Sequence, residues 1–418
     1  MSVTGDIPLS AKSTAAVIGG GPAGLMAAEL LARAGATVTV YDQMGSLGRK
    51  FLLAGRGGLN LTHSEDLATF LSRYGESHPL LRGAIEAFPP AALRAWSDSL
   101  GQPTFVGSSG RVFPTALKTS PLLRTWLLRL NNLGIAFKLR HRWDGWDDEG
   151  SLRFISAGEE VLVEPDVTVL ALGGASWPRL GSDGGWAAIL RAQEIVVSPL
   201  QPANCGFLAD LSEVLRKFEG QPLKRIAIAF ADRSVRGEAM ITREGLEGGA
   251  VYALSSPLRE AVDKTGHASI DIDLLPDVSV TKLAERLSAP RGKQSMSNFL
   301  RKATHLSAAA LSLVREAALA KGLQLSALNP QDLAALIKAA PVRLTGVQPI
   351  ATAISTAGGV SFDELDNRFM LKRYPGIFVA GEMLNWDAPT GGYLLQGSFA
   401  TAVAAASGAI AWLSEWNS

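Results

Sequence analysis

Residues 15–42, AAVIGGGPAGLMAAELLARAGATVTVYD, constrain this chain more than any other stretch. An apolar run over 15–18 leads into a turn with glycine at Gly19, Gly21 and Gly24. A helix through Ala34 follows, stopped at Gly35, and then a β-branched run over 37–41 that ends in Asp42. This order predicts strand, helix and parallel strand. Gly19 permits the tight turn, Gly21 lets the backbone approach a pyrophosphate, and Gly24 lets the helix pack on the strand. The helix start, with Pro22 and Ala23, offers unpaired N–H groups and a positive dipole end to phosphate. Asp42, with Gln43 beside it, can accept hydrogen bonds from ribose hydroxyls. A lone glycine triplet is weak; set between strand and helix and followed by an acid at this interval, it marks a dinucleotide site.

The 418 residues suffice for two or three domains and a large core. The formal net charge of +1 gives no electrostatic case for nucleic acid or an anionic membrane as the main partner. The first residues carry no apolar signal-like stretch, and no run approaches the ~20 apolar residues of a membrane span. The alanine-rich segment 400–413 reads as a buried helix. The single cysteine, Cys205, excludes an intramolecular disulfide and a CxxC pair, and reads as a small buried residue. His63, His78, His141, His267 and His305 have no metal-ligand spacing, so no metal site is expected. A cytoplasmic protein acting on a small molecule is the expectation.

After Asp42 a second glycine-rich stretch, MGSLGRKFLLAGRGGLNLTHSED, carries Arg49, Lys50 and Arg56 and is placed to run over the pyrophosphate. Residues 66–100 read as amphipathic helix broken at Pro89-Pro90, 107–120 as a loop, and 136–140, 152–156 and 161–164 as short strands. The stretch 166–185 runs from a strand into Gly173-Gly174, a return to the cofactor domain. Residues 203–275 alternate strand-like runs with turns, which suggests an antiparallel sheet or barrel. From 279 to 340 apolar residues recur at helical spacing. Beyond Pro341, strands and glycine turns resume, with GIFVAGE over 376–382 and a terminal helix expected to begin near Ser398. The predicted divisions are 1–199, 200–277 (a β-barrel insert), 278–340 (a helical insert) and 341–418, which returns to the barrel edge and completes the first domain. A nucleotide domain interrupted in this way favours FAD over NAD.

The segments GGGPAG (19–24), GRKFLLAGRGGLNLTHS (48–64), ALGGASWPRLGSDGG (171–185), GEAMITREGLEGGAVYALSS (237–256), IDIDLLPD (270–277), TAGGVSFDEL (356–365) and VAGEMLNWDAPTGGYLLQGSFATA (379–402) cover most of the chain. Through them it resembles the glutathione-reductase-type FAD proteins and, within these, the BaiN/YhiN-like, aminoacetone-oxidase-type family. The family's Gly-Arg-Cys-Asn turn reads here Gly57-Gly58-Leu59-Asn60, with Arg56 earlier, and Trp177 stands where Tyr is usual. The resemblance implies a Rossmann-like α/β FAD domain interrupted by a small antiparallel barrel and a helical insert.

It also implies roles. Gly19, Gly21, Gly24 and Asp42 would hold the ADP half, and Arg49 and Lys50 would neutralise phosphate or cover the ribityl chain. Arg56, Asn60 and Thr62 would touch the flavin edge, with Gly173 in the second glycine turn. Gly381-Glu382 would approach the ribityl-phosphate region, and Gly391, Gly392, Tyr393 and Gln396 would lie beside the isoalloxazine. Tyr393 and His63 each have an ordinary structural reading, packing for one and backbone satisfaction for the other. No catalytic acid or base stands out. The reaction expected is hydride transfer between non-covalent FAD and a small organic substrate, by reduction of an activated C=C bond or oxidation of an amine. NAD(P)H, bound transiently, or oxygen would be the second partner; no second glycine fingerprint is present. The alternatives are a flavin-dependent tRNA-modifying protein and a non-catalytic flavin sensor.

Overall fold

In the computed structural model, which describes residues 13–55, 57–75 and 77–416, the glycine fingerprint sits at the centre of a parallel sheet. The elements that build it are β1 (Thr14–Ile18), α1 (Pro22–Arg33), β2 (Thr37–Asp42), α2 (Arg49–Ala54), β3 (Ala136–Leu139), β4 (Val167–Leu170), β5 (Ile377–Val379) and α3 (Tyr393–Trp416). The strand order is β5-β4-β1-β2-β3, every pair parallel. β1 and β4 are apolar on both faces because a central parallel strand is covered on both sides. Pro22 at the first helical position and the left-handed Gly35 (φ +100°) after the last turn bound α1.

The chain divides into two compact units, one taking the chain up to Gln201 and again from Ser355, the other running Pro202–Ile354. The second unit holds a closed six-stranded antiparallel barrel, in the order Phe207–Ala209, Gly245–Glu247, Arg233–Ile241, Pro222–Phe230, Ala268–Asp273 and Ala340–Val347. Four helices, Val280–Leu287, Met296–Thr304, Ala308–Ala320 and Pro330–Lys338, are inserted before the last barrel strand. Barrel and helices share one apolar core, from Phe207 and Ile228 to Val314 and Ile337. Cys205 is buried in it.

Three local expectations are corrected. Residues 107–120 are not all loop: Arg111–Pro114 is the central strand of a small sheet, pairing with Thr62–His63 and Thr104–Val106. Arg142–Trp146 is also a strand, opposite Leu152–Ser156, whose periodicity is hidden by Gly145 at an inward position and Trp146 at an outward one, with a register shift between Trp143 and Trp146. The terminal helix begins at Tyr393 rather than near Ser398, because Gly391 (φ +138°) and Gly392 (φ +99°) complete the turn just before it. That helix is long and apolar enough to cross a membrane by length and composition, with a mean hydropathy of 1.4 in its most apolar window. It is instead largely core: Ala400, Ala402, Ala405, Ala406 and Ala409 are fully buried, and it packs along α1.

Candidate functional site

A groove of about 350 Å³ opens beyond the C-terminal ends of β1, β2 and β4, where ligands bind in open parallel sheets. The three fingerprint glycines meet three different demands there. A Cβ on Gly19 (φ +114°) would lie 2.2 Å from the Ala171 carbonyl oxygen, so the turn needs both the left-handed backbone and the missing side chain. A Cβ on Gly24 would lie 1.8 Å from the Gly19 carbonyl oxygen, which is the close approach of helix to turn. A Cβ on Gly21 would meet nothing within 4 Å. It would project into space kept open by the chain, and Gly21 lines the groove. No side chain caps α1 and no acid occupies its first turn, so its N–H groups are left for an anion.

Asp42, at the end of β2, organises the same rim. Its Oδ2 accepts from Gly20 N–H and its Oδ1 from Met44 N–H, each at 2.7 Å. Burial pushes its pKa up, against the pull of these two hydrogen bonds and the charge of Arg49. A carboxylate has about four acceptor positions, so two remain for ribose hydroxyls. Gln43 Nε2 donates to Gly181 C=O at 3.0 Å and to Asp183 Oδ2 at 3.2 Å, tying β2 to the loop after β4. Gly48 N–H donates to Gly20 C=O at 2.9 Å, which brings α2 and its two basic residues to the glycine turn.

Of the residues singled out from sequence, Gly19, Gly21, Pro22, Ala23, Asp42, Gln43, Arg49, Lys50, Gly173 and Glu382 line the groove. Gly24 lies beneath it, and Gly381 (φ +77°) packs against Ala23, where a Cβ would come within 2.8 Å. Arg56 falls outside the described residues. Asn60, Thr62 and Gln396 do not line this groove. Each nevertheless has a buried side-chain oxygen without a hydrogen-bond partner, and Arg49 Nε is in the same condition. Gly392 presses on the Thr62 backbone, where a Cβ would come within 2.5 Å, and its carbonyl accepts from Gln396 N–H. Of these four positions only Arg49 is on the groove wall, where its unpartnered Nε is available to a polar ligand.

Tyr393 and His63 turn their side chains to the chain itself. The Tyr393 hydroxyl donates to Glu65 Oε1 at 2.6 Å, its carbonyl accepts from Tyr74 O–H at 2.6 Å, and its ring packs on Phe70. Burial and the neighbouring Glu65 push its pKa well up. Both His63 nitrogens are engaged, Nε2 with Ser109 C=O at 3.0 Å and Nδ1 with Glu65 N–H at 3.2 Å.

Sequence reasoning missed part of the wall. Tyr41, Ser182, Asp183 and Trp186 line the groove, as do His141 and Trp143. Ser182 and Asp183 lie in a motif quoted above, so its SDGG run carried a usable signal. His141 and Trp143 had none. They reach the groove only because β3 pairs beside β2, with His141 N–H donating to Asp42 C=O at 3.0 Å.

Parallel sheet, glycine turn, acid at the end of β2 and interrupted nucleotide unit together define an FAD-dependent oxidoreductase. The chain belongs to the HI0933-like family, whose model, described as the HI0933-like protein Rossmann domain, matches residues 13–408. It is 24% identical over 405 residues to a 3-dehydro-bile acid delta(4,6)-reductase from Clostridium scindens, a match covering 92% of this chain and 96% of that protein. It is 27% identical over 417 residues to a ribosomal RNA dihydrouridine synthase from Escherichia coli, covering 95% and 98%. Among solved structures, the 3-ketosteroid-delta4-(5alpha)-dehydrogenase from Rhodococcus jostii RHA1 superposes with a TM-score of 0.50 at 16% identity, over 95% of this chain and 97% of that one. That likeness is one of fold.

Proposed function

We propose that this oxidoreductase holds its FAD non-covalently and reduces a ring C=C bond conjugated to a carbonyl in a small organic substrate, with NAD(P)H as the transient donor. The carrying observation is the groove at the glycine turn, which gathers the uncapped start of α1, Asp42 and the buried, unpartnered Nε of Arg49, groups that a large polar ligand would satisfy. Bound FAD supplies the hydride chemistry. The chain's own part is to hold and orient. Main-chain N–H groups at the start of α1 face phosphate, Asp42 faces ribose, and basic side chains offset the diphosphate charge. For non-covalent attachment, Cys205 is buried in the barrel core and both His63 nitrogens are engaged, while His141, on the groove wall, is tied through Nδ1 to Leu139 C=O at 2.8 Å.

Two relatives share a bond change: a delta(4,6)-reductase and a dihydrouridine synthase act on different substrates, yet both add hydrogen across a ring C=C conjugated to a carbonyl. Reduction is therefore favoured over amine oxidation. The ribosomal RNA named for the Escherichia coli relative favours a second reading, a uracil ring within RNA. The near-neutral charge of this chain gives that reading little electrostatic support. The test is anaerobic. Protein reduced with NADH or NADPH is mixed with 3-keto-4-ene steroids, with simple cyclic enones and with uridine-containing RNA, and the flavin absorbance is followed. Reoxidation by an enone and not by RNA is expected. Reoxidation by RNA alone would select the second reading, and bleaching of the oxidised protein by amines with no response to enones would overturn both.

A further inference from the structure

We propose that Arg49 and Lys50, adjacent in sequence, serve different anions: Arg49 holds the diphosphate of the dinucleotide, and Lys50 neutralises Glu382 so that the groove tolerates a carboxylate beside that diphosphate. The inference rests on the cofactor reading above and assigns the charges within it. Lys50 Nζ lies 2.7 Å from Glu382 Oε2 and 2.7 Å from Ser176 Oγ, with the two charged side chains only 25% and 17% exposed. Glu382 is held in place by Thr356 N–H, which donates to Oε1 at 2.9 Å, and by Gly174 N–H, at 3.4 Å from Oε2. Two of the three Lys50 donors are thus committed before any ligand arrives.

Arg49 is placed differently. Its Nε is buried without a partner, and its one hydrogen bond among the described residues is a long contact of NH1 with Ser46 Oγ at 3.4 Å. It lines the groove one residue beyond Gly48, which is bonded to the glycine turn, and its charge is felt by Asp42. A planar guanidinium on the groove wall, with donors left free, suits bidentate contact with phosphate oxygens. Left without Lys50, the Glu382 carboxylate would be a half-buried negative charge facing the groove that takes an anion.

The test is a double-mutant cycle on apoprotein, read by FAD titration and by competition with ADP, which carries the diphosphate and lacks the flavin. Lys50→Met should weaken FAD binding roughly tenfold or more, and adding Glu382→Gln should restore it to about the level of Glu382→Gln alone. Arg49→Met should weaken both FAD and ADP roughly tenfold or more, with no restoration by Glu382→Gln. Failure of Glu382→Gln to rescue Lys50→Met would make Lys50 a phosphate ligand and overturn the division. Unchanged ADP affinity in Arg49→Met would overturn the Arg49 assignment. Should Lys50→Met fail to fold alone, the double variant decides against Lys50→Arg as the charge-retaining control: FAD affinity like Glu382→Gln supports the pairing, and weak binding overturns it. Wild-type apoprotein that binds neither ligand would instead overturn the cofactor reading on which the proposal rests.

Discussion

At the scale of single residues, glycines with the same sequence signature have different physical reasons. Gly24 is required by the fold, since a Cβ there meets backbone 1.8 Å away. Gly24→Ala should therefore destabilise apoprotein by roughly 1–3 kcal/mol or more. Gly21 has an ordinary extended backbone (φ −85°, ψ −178°) and open space around its missing side chain. Gly21→Ala should leave apoprotein stability within about 1 kcal/mol of wild type, yet weaken FAD binding by filling the space kept for the pyrophosphate. Thermal unfolding of both apoproteins beside FAD titration checks the pair; equal loss of stability would show that Gly21 is also a packing residue. Glu65 gives a pH dependence. Burial raises its pKa, but the Arg73 hydrogen bond, the Tyr393 hydroxyl and the Arg73 and His63 charges outweigh that and hold it below its ordinary value. A depressed carboxylate stabilises the fold above the unfolded value of about 4.5 and loses that contribution as pH falls through the lowered one. Unfolding midpoints measured from pH 6 down to pH 3 should fall less steeply in Glu65→Gln than in wild type.

At the scale of elements, α1 is held from behind by one buried carboxylate. Glu29 is 2% exposed and accepts from Trp126 Nε1 at 2.8 Å, Trp96 Nε1 at 3.2 Å, Arg129 at 3.2 Å and Arg33 at 2.8 Å. It joins α1 to the helices Pro90–Ser99 and Thr119–Asn132. Glu29→Leu would strand a fully buried indole N–H and leave Arg129 without its carboxylate, at a cost of roughly 3–5 kcal/mol. Urea unfolding measures this, and a loss under 1 kcal/mol would mean that water replaces the carboxylate. Helices and the fingerprint were legible in sequence because their signals are local: apolar spacing, a proline at the first turn, a glycine at the last. Arg111–Pro114 was not legible, since four residues that include a proline become a strand only between the two that flank them. Trp143 was hidden for a related reason, lying on a strand where Gly145 at an inward position and Trp146 at an outward one break the alternation that Arg142, Trp143 and Asp144 begin.

At the scale of the whole molecule, the unit Pro202–Ile354 carries its own core and a closed barrel, and its ends meet where Ile354 N–H donates to Asn204 C=O at 3.3 Å. A closed barrel has no strand edge to protect. The fragment 202–354 should therefore fold alone, with a cooperative thermal transition by circular dichroism and no FAD binding; a non-cooperative transition would show that its core is completed from elsewhere. The sequence by itself determined the nucleotide fingerprint and the family, because the fingerprint is written in residues whose requirements are met within a turn or two of chain. Only the tertiary structure decided which of the two basic residues meets a carboxylate of the chain itself. Arg49 and Lys50 are neighbours with the same local propensities, and what separates them is a carboxylate 332 residues beyond Lys50, brought to 2.7 Å by the return of the chain to β5. His141 and Trp143 became walls of the groove in the same way, through the pairing of β3 beside β2. Side-chain partners at such separations depend on how the sheet closes, and no local pattern encodes that.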